Sequence, residues 1–160
     1  MNNRGLLKFL LLLIILLAAP LTNWARTSKP TVVFNEDVIL QWNRVLKETV
    51  STPGLHPATI MPVRSYAMMH AAMFDAVNSI DGGYTPYLTE VPGTKHASLE
   101  AAAAQAAHDV LASLYPTRLA VFDAELAVSL QGIDEARAQQ GIRVGQIVAE
   151  RLLAARANDG

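Results

Sequence analysis

Ser98-Leu-Glu-Ala-Ala-Ala-Ala-Gln-Ala-Ala-His-Asp-Val-Leu-Ala-Ser-Leu114, closed by Tyr115-Pro116, is the stretch on which the fold turns. Ser98 is a good helix N-cap, and Glu100 falls in the first turn near the positive end of the helix dipole. Leu99, Ala103, Ala106, Val110 and Leu114 recur along one face. The unbroken run Ala101 to Ala104 predicts tight packing against a neighbouring helix, and Pro116 stops the segment. Downstream, Leu119, Phe122, Leu126 and Leu130 have helical spacing as far as Gly132. A last helix begins near Asp134 and runs to about Ala157, with Ala138, Ile142, Gly145, Ala149, Leu152 and Leu153 as its stripe. Gly141, Gly145 and Ala149 form a ridge of small residues four apart. Each interior glycine costs roughly 1 kcal/mol relative to alanine, which predicts an offsetting close approach by another helix.

Upstream, Val38, Ile39, Trp42, Val45, Leu46 and Val50 mark an amphipathic helix that Thr52-Pro53-Gly54 terminates. A second helix starts between Pro57 and Val63, runs to Ile80 and ends at Asp81-Gly82-Gly83. A loop from Tyr84 to His96 follows. No alternating strand pattern of useful length and no fixed-period repeat occurs. The predicted class is all-α, a bundle of about five helices.

The chain has 160 residues, enough for one domain. Its 51% hydrophobic content is too high for a disordered tail. Its 13 basic and 14 acidic residues leave no cationic excess for a phosphate backbone, so nucleic acid is not an expected partner. With no cysteine, a disulfide framework, a thiolate metal site and a Cys nucleophile are excluded. Arg4 and Lys8 precede an uncharged apolar run from Phe9 to Ala19, which Pro20 ends. Eleven helical residues span roughly 16 Å, about half of a bilayer's hydrocarbon core. Residues 1–25 therefore read as a secretory signal peptide, with the remaining domain, 26–160, exported and without a stable membrane span. Asn23 departs from the usual small residue two places before a cut after Ala25. Arg26 to Thr31 reads as a linker.

Val121 and Val128 lie roughly opposite the stripe of the fourth helix, and Val144 and Ile147 lie off that of the fifth. Helices apolar on two sides normally sit between neighbours, while scattered surface valines give the same periodicity. Asn158-Asp159-Gly160 is a turn signal rather than an ending. Together these features predict a bundle completed by missing C-terminal helices, by an equivalent helical partner, or by self-association.

The polar residues best placed for chemistry are Arg64, His70, Asp75 and Asn78 of the second helix. Arg64, Ala71, Asp75 and Asn78 fall within roughly 60° of one another on a helical wheel. One reading is a buried acid–base or metal cluster. However, His70 and Asp75 are five apart, off the one-face spacing, and no second histidine lies near. The competing reading is a buried Arg–Asp pair, with Asn78 and His70 tying helix ends to the following loop. His108 and Asp109 face away from the leucine stripe and predict a solvated or inter-helix polar face. His56 and His96 read as loop histidines, and Met61, Met68, Met69 and Met73 as core filling. No nucleophile elbow, Walker loop, zincin or dinucleotide motif is present.

The segment Arg64-Ser-Tyr-Ala-Met-Met-His70-Ala-Ala-Met-Phe-Asp75-Ala-Val-Asn78, followed by Tyr84-Thr-Pro86-Tyr87, resembles the N-terminal half of vanadium-dependent haloperoxidase-like proteins, members of the type 2 phosphatidic acid phosphatase (PAP2) superfamily. The resemblance continues through Ser98–Leu111, Tyr115-Pro116, Gly141–Gly145 and Arg156–Gly160, covering about residues 32–160. It implies a helical haloperoxidase-like fold, a vanadate or phosphate site in the complete protein, and peroxide-dependent halide oxidation or phosphate-ester hydrolysis. The family's Lys with Arg-Pro seven residues on, its Ser-Gly-His and its Ser-Arg are absent from this sequence; Lys47 is followed at that distance by Gly54. No catalytic, cofactor-binding or metal-binding residue is carried over, and the Arg64–Asn78 block is implied to be scaffold. Three readings follow: the inactive front part of such a protein, a self-sufficient exported module that binds a partner, or an unrelated enzyme using Arg64, His70 and Asp75.

Overall fold

A computed structural model describes residues 37–55, 60–92 and 94–159. The signal peptide assigned to residues 1–25, the linker at 26–31 and His56 lie outside them. Five α-helices and no strand occur among the described residues: α1 Val38–Val50, α2 Met61–Asp81, α3 Leu99–Leu114, α4 Leu119–Ser129 and α5 Glu135–Ala155. A 3-10 turn, Pro116–Arg118, leads into α4. No described helix is long and apolar enough to cross a membrane.

The helix ends follow from local chemistry. Asp37, Ser98 and Asp134 each accept a backbone N–H of the first turn, at 2.8, 3.1 and 3.1 Å. Pro62 sits at the start of α2, where a missing N–H costs nothing. Gly82 ends that helix in the left-handed conformation, at φ 73° and with its N–H bonded to Asn78 O. α4 has no side-chain cap and depends on the proline-led turn before it.

α3 is the axis of the bundle, in contact with all four other helices. The sequence placed one apolar face on α3. Instead every residue from Ala101 to Ala107 is buried, while Leu99 is exposed and Leu114 half-buried. An alanine surface is thin enough for neighbours to close on it from all sides. The larger Trp42, Leu46, Met69, Met73, Phe122, Val144, Val148 and Leu152 fill the space around it. Met68, Met69 and Met73 are core residues, as their spacing predicted.

The glycine ridge of α5 lies against α3. A Cβ on Gly141 would sit 2.5 Å from Ser98 O, and one on Gly145 would sit 2.6 Å from Ala102 O. The helices are close enough for Ser98 N to bond Arg137 O across the seam at 3.0 Å. This approach also corrects the stripe drawn from sequence. The buried face of α5 is centred on Gly141, Gly145, Val148 and Leu152, so Val144 is buried at 1% exposure and Ile147 half-buried, while Ile142 and Leu153 slip to the margin. α3 meets all four other helices, and α5 packs against both α3 and α2. Of the four apolar residues placed off the main stripes of α4 and α5, only Val121 (43% exposed) and Val128 (53%) face water.

Candidate functional site

The polar residues of α2 are divided among three places. Asp75, buried at 1% exposure, accepts the backbone N–H groups of Tyr87, Leu88 and Thr89 at 2.6, 2.8 and 2.9 Å. Asn78 pairs with the Tyr84 backbone in both directions, at 2.7 and 2.8 Å. The Ser79 hydroxyl donates to Asp75 O and accepts Val91 N–H at 3.0 Å. These residues act as a splint for a loop with no secondary structure of its own, holding its N–H groups where a sheet would otherwise be needed. The loop-tying expected of Asn78 is present, and Asp75 shares it.

The expected Arg64–Asp75 pair is not. Arg64 turns to the end of α5, where it donates to Arg156 O at 2.9 Å and to Asp159 Oδ1 at 2.8 Å. Asp75 is already saturated by backbone donors, so the cation is drawn to the open carbonyl end of α5, the negative end of its dipole. His70 is also elsewhere: its Nε2 lies 3.2 Å from Asn43 Oδ1 of α1, its ring is stacked on Tyr66, and burial pushes its pKa down. His70 ties α2 to α1 and not to the loop.

Arg64 opens on a cleft of about 330 Å³ lined by Arg64, Ala67, Met68, Ala71, Tyr87, Leu152, Arg156 and Asp159. Arg156 lies beside Asp159 Oδ2 at 3.3 Å and donates to the Tyr87 hydroxyl. Its guanidinium carbon stands 5.6 Å from the centre of the Tyr87 ring, within cation–π range. Asp159 thus offers one oxygen to each guanidinium. The Arg64 hydrogen bond is the main cause holding its carboxyl below the ordinary range. The Nε of Arg64 is buried and has no acceptor.

The second polar cluster joins α3 to α4. His108 Nδ1 is 2.7 Å from Asp109 Oδ1, and its Nε2 is 2.8 Å from Asp123 Oδ1. With an acceptor at each nitrogen the doubly protonated ring is favoured, and its pKa is raised, chiefly by the Asp109 hydrogen bond. Gln105 donates to Asp109 at 2.7 Å, and Trp42 meets the imidazole edge-on. The polar face predicted for His108 and Asp109 is therefore an inter-helix one. His96 is exposed in its loop.

Vanadate needs cationic donors together with a histidine free to bond the metal. The cleft has two arginines, but no histidine or lysine lines it and a carboxylate already lies between them. His108 has a carboxylate at each nitrogen. The described residues do not fit the group, and none forms a set of three or more His, Cys, Asp or Glu able to hold a metal ion. Against known protein families, curated proteins and solved structures, the chain has no match.

Tyr87, Arg156 and Asp159 were not singled out as site residues in the sequence. Asp159 read as part of a turn, and nothing in spacing links it to Arg64, 95 positions away.

Proposed function

We propose that this chain is the scaffold-forming N-terminal part of an exported haloperoxidase- or acid-phosphatase-like protein of the PAP2 superfamily, without catalysis of its own. The observation that carries the reading is the role of the Arg64–Asn78 block, which bears the resemblance. Asp75 and Asn78 bind backbone, His70 binds Asn43, and Arg64 binds the end of α5. These contacts go to three separate places and position helices and the following loop, so the block does not converge on one reacting centre. Vanadate belongs, in this reading, to the complete family fold and not to these residues.

The test has two arms. Given vanadate, bromide and peroxide, or a phosphate monoester, the isolated chain is expected to show no turnover above buffer; turnover abolished by Arg64→Ala or His70→Ala would instead establish an enzyme using those residues. The codons after Gly160 are expected to encode the Lys…Arg-Pro and Ser-Gly-His motifs. Export is checked separately: mass spectrometry of the source cell should find a chain shortened by about 25 residues outside the cytoplasm.

A second reading, a self-sufficient exported module that binds a helical partner, draws on α4, whose Leu119, Val121 and Val128 are all exposed. A sharply melting monomer that binds no hydrophobic dye would favour a closed, self-sufficient bundle.

A further inference from the structure

The cleft at the end of α5, where Arg64 also ties α2 to α5, has charge and apolar lining beyond what that tie requires. Two guanidinium groups, from different helix ends, converge on one carboxylate, so the spot carries one excess positive charge (Arg64 and Arg156 against Asp159). Arg64 is not saturated, since its buried Nε has no acceptor. The rest of the lining is largely apolar: Ala67, Ala71, the buried Met68 and Leu152, and the exposed Tyr87. The volume is about 330 Å³, at the lower end of the range in which small molecules bind. Charged and apolar lining in one small cleft matches an amphiphile with one short tail.

We propose that this cleft binds a small carboxylic acid anion with a short aliphatic body, its carboxylate taking the place of the Asp159 carboxylate between Arg64 and Arg156. Asp159 supplies the template: its two oxygens already address the two guanidinium groups, at 2.8 and 3.3 Å. Arginine forks suit planar carboxylates. Asp159 is also a displaceable occupant, because its side chain remains one-third exposed. An exposed ion pair of this kind is held weakly. An incoming anion exchanges one carboxylate for another at the arginines and can add apolar contact with Met68 and Leu152, which line the same cleft.

Calorimetric titration of the full chain with octanoate, octanol, acetate and inorganic phosphate tests this. Octanoate is expected to saturate the wild type weakly, and Asp159→Asn, which removes the internal competitor at an exposed position, to tighten it about tenfold. Arg64→Gln and Arg156→Gln are expected to weaken it by a similar factor. Octanol lacks the charge and acetate lacks the tail, so neither should saturate. Should Arg64→Gln lose helical circular dichroism, Asp159→Asn decides alone: unchanged octanoate affinity overturns the proposal. Octanol binding as well as octanoate also overturns it, leaving only a greasy surface, and so does phosphate binding as tightly, which would make the site a general anion trap. The outcome is independent of the scaffold reading, which stands or falls on turnover.

Discussion

On its side towards α5, α3 is met by backbone; on its side towards α4, by charged side chains. Against α5, Ser98, Ala101, Ala102, Gln105 and Ala106 lie where the Cβ atoms of Gly141 and Gly145 would be, and a main-chain hydrogen bond crosses the gap. Against α4, His108 reaches Asp123, while from α1 Gln41 and Arg44 reach Glu125 and the Trp42 indole donates to Ser129. The first seam has no slack, because interior packing leaves few voids and a methyl group has nowhere to go. The second is held by long side chains around a single deeply buried anchor, Phe122. One helix thus has a rigid side and an adjustable side. The residue types decide which: glycine and alanine where backbones must touch, polar residues where they need not.

The strongest way to break the contrast is Gly145→Ala. The new methyl would lie 2.6 Å from Ala102 O and 2.7 Å from Gln105 Cβ. Alanine's better helix propensity returns about 1 kcal/mol, and overpacking outweighs it, for an expected net loss of about 2–3 kcal/mol in urea denaturation. A loss below about 1 kcal/mol would show that α5 can slide away and that the seam is not rigid. Asp75→Ala comes next. It leaves three N–H groups of the loop without their acceptor, at a cost of about 2 kcal/mol. It should open the Tyr84–His96 loop to protease while α3 and α5 stay packed.

His108→Gln probes the adjustable side, with an expected loss of about 1 kcal/mol at pH 6. Its pH dependence has a definite sign. The folded pKa of His108 is raised, so its contribution is fully present below the ordinary value of 6.5 and is lost as pH rises through the raised value. His70 runs oppositely: its pKa is lowered by burial, so its contribution is present above 6.5 and declines as pH falls towards the lowered value. Melting curves of the wild type between pH 5 and pH 9 should show the alkaline decline, and His108→Gln should remove it while leaving the acid one. The smallest effect is expected on the outer face of α4. Val121→Lys with Val128→Lys should change stability by no more than about 0.5 kcal/mol and reduce any self-association seen by light scattering.

Much of the rigid side was legible in the sequence. Glycines four apart have a helix cost that only a close neighbour explains, and Ala101–Ala104 supplies that neighbour. The cap at Ser98, the helix start near Asp134 and the stop at Gly82 were readable because they depend on residues adjacent in the chain. The all-round burial of Ala101–Ala107 was not, because alanine is a weak hydrophobic signal and which neighbours surround it is a property of the whole bundle. The site was least legible. A helical wheel places Arg64 beside Asp75, but it cannot show that backbone amides from residues 87–89 already fill that carboxylate. Nor can it bring Asp159 to Arg64, since their meeting depends on where α5 ends.

The main-chain bond between Ser98 and Arg137 clasps the start of α3 to the start of α5. The chain between these points runs out along α3 and returns through the 3-10 turn and α4, so α4 is a return arm leading back to a tightly packed junction. Such an arm can detach by withdrawing Phe122 and releasing the His108 and Glu125 contacts, with α3 and α5 still locked together. In native-state hydrogen exchange the amides of Leu119–Ser129 should exchange through a sub-global opening, well before those of Ala102–Ala106 and Gly145–Ala149. Denaturant should act little on the first event and strongly on the second, which makes α4 the first part of the bundle to open.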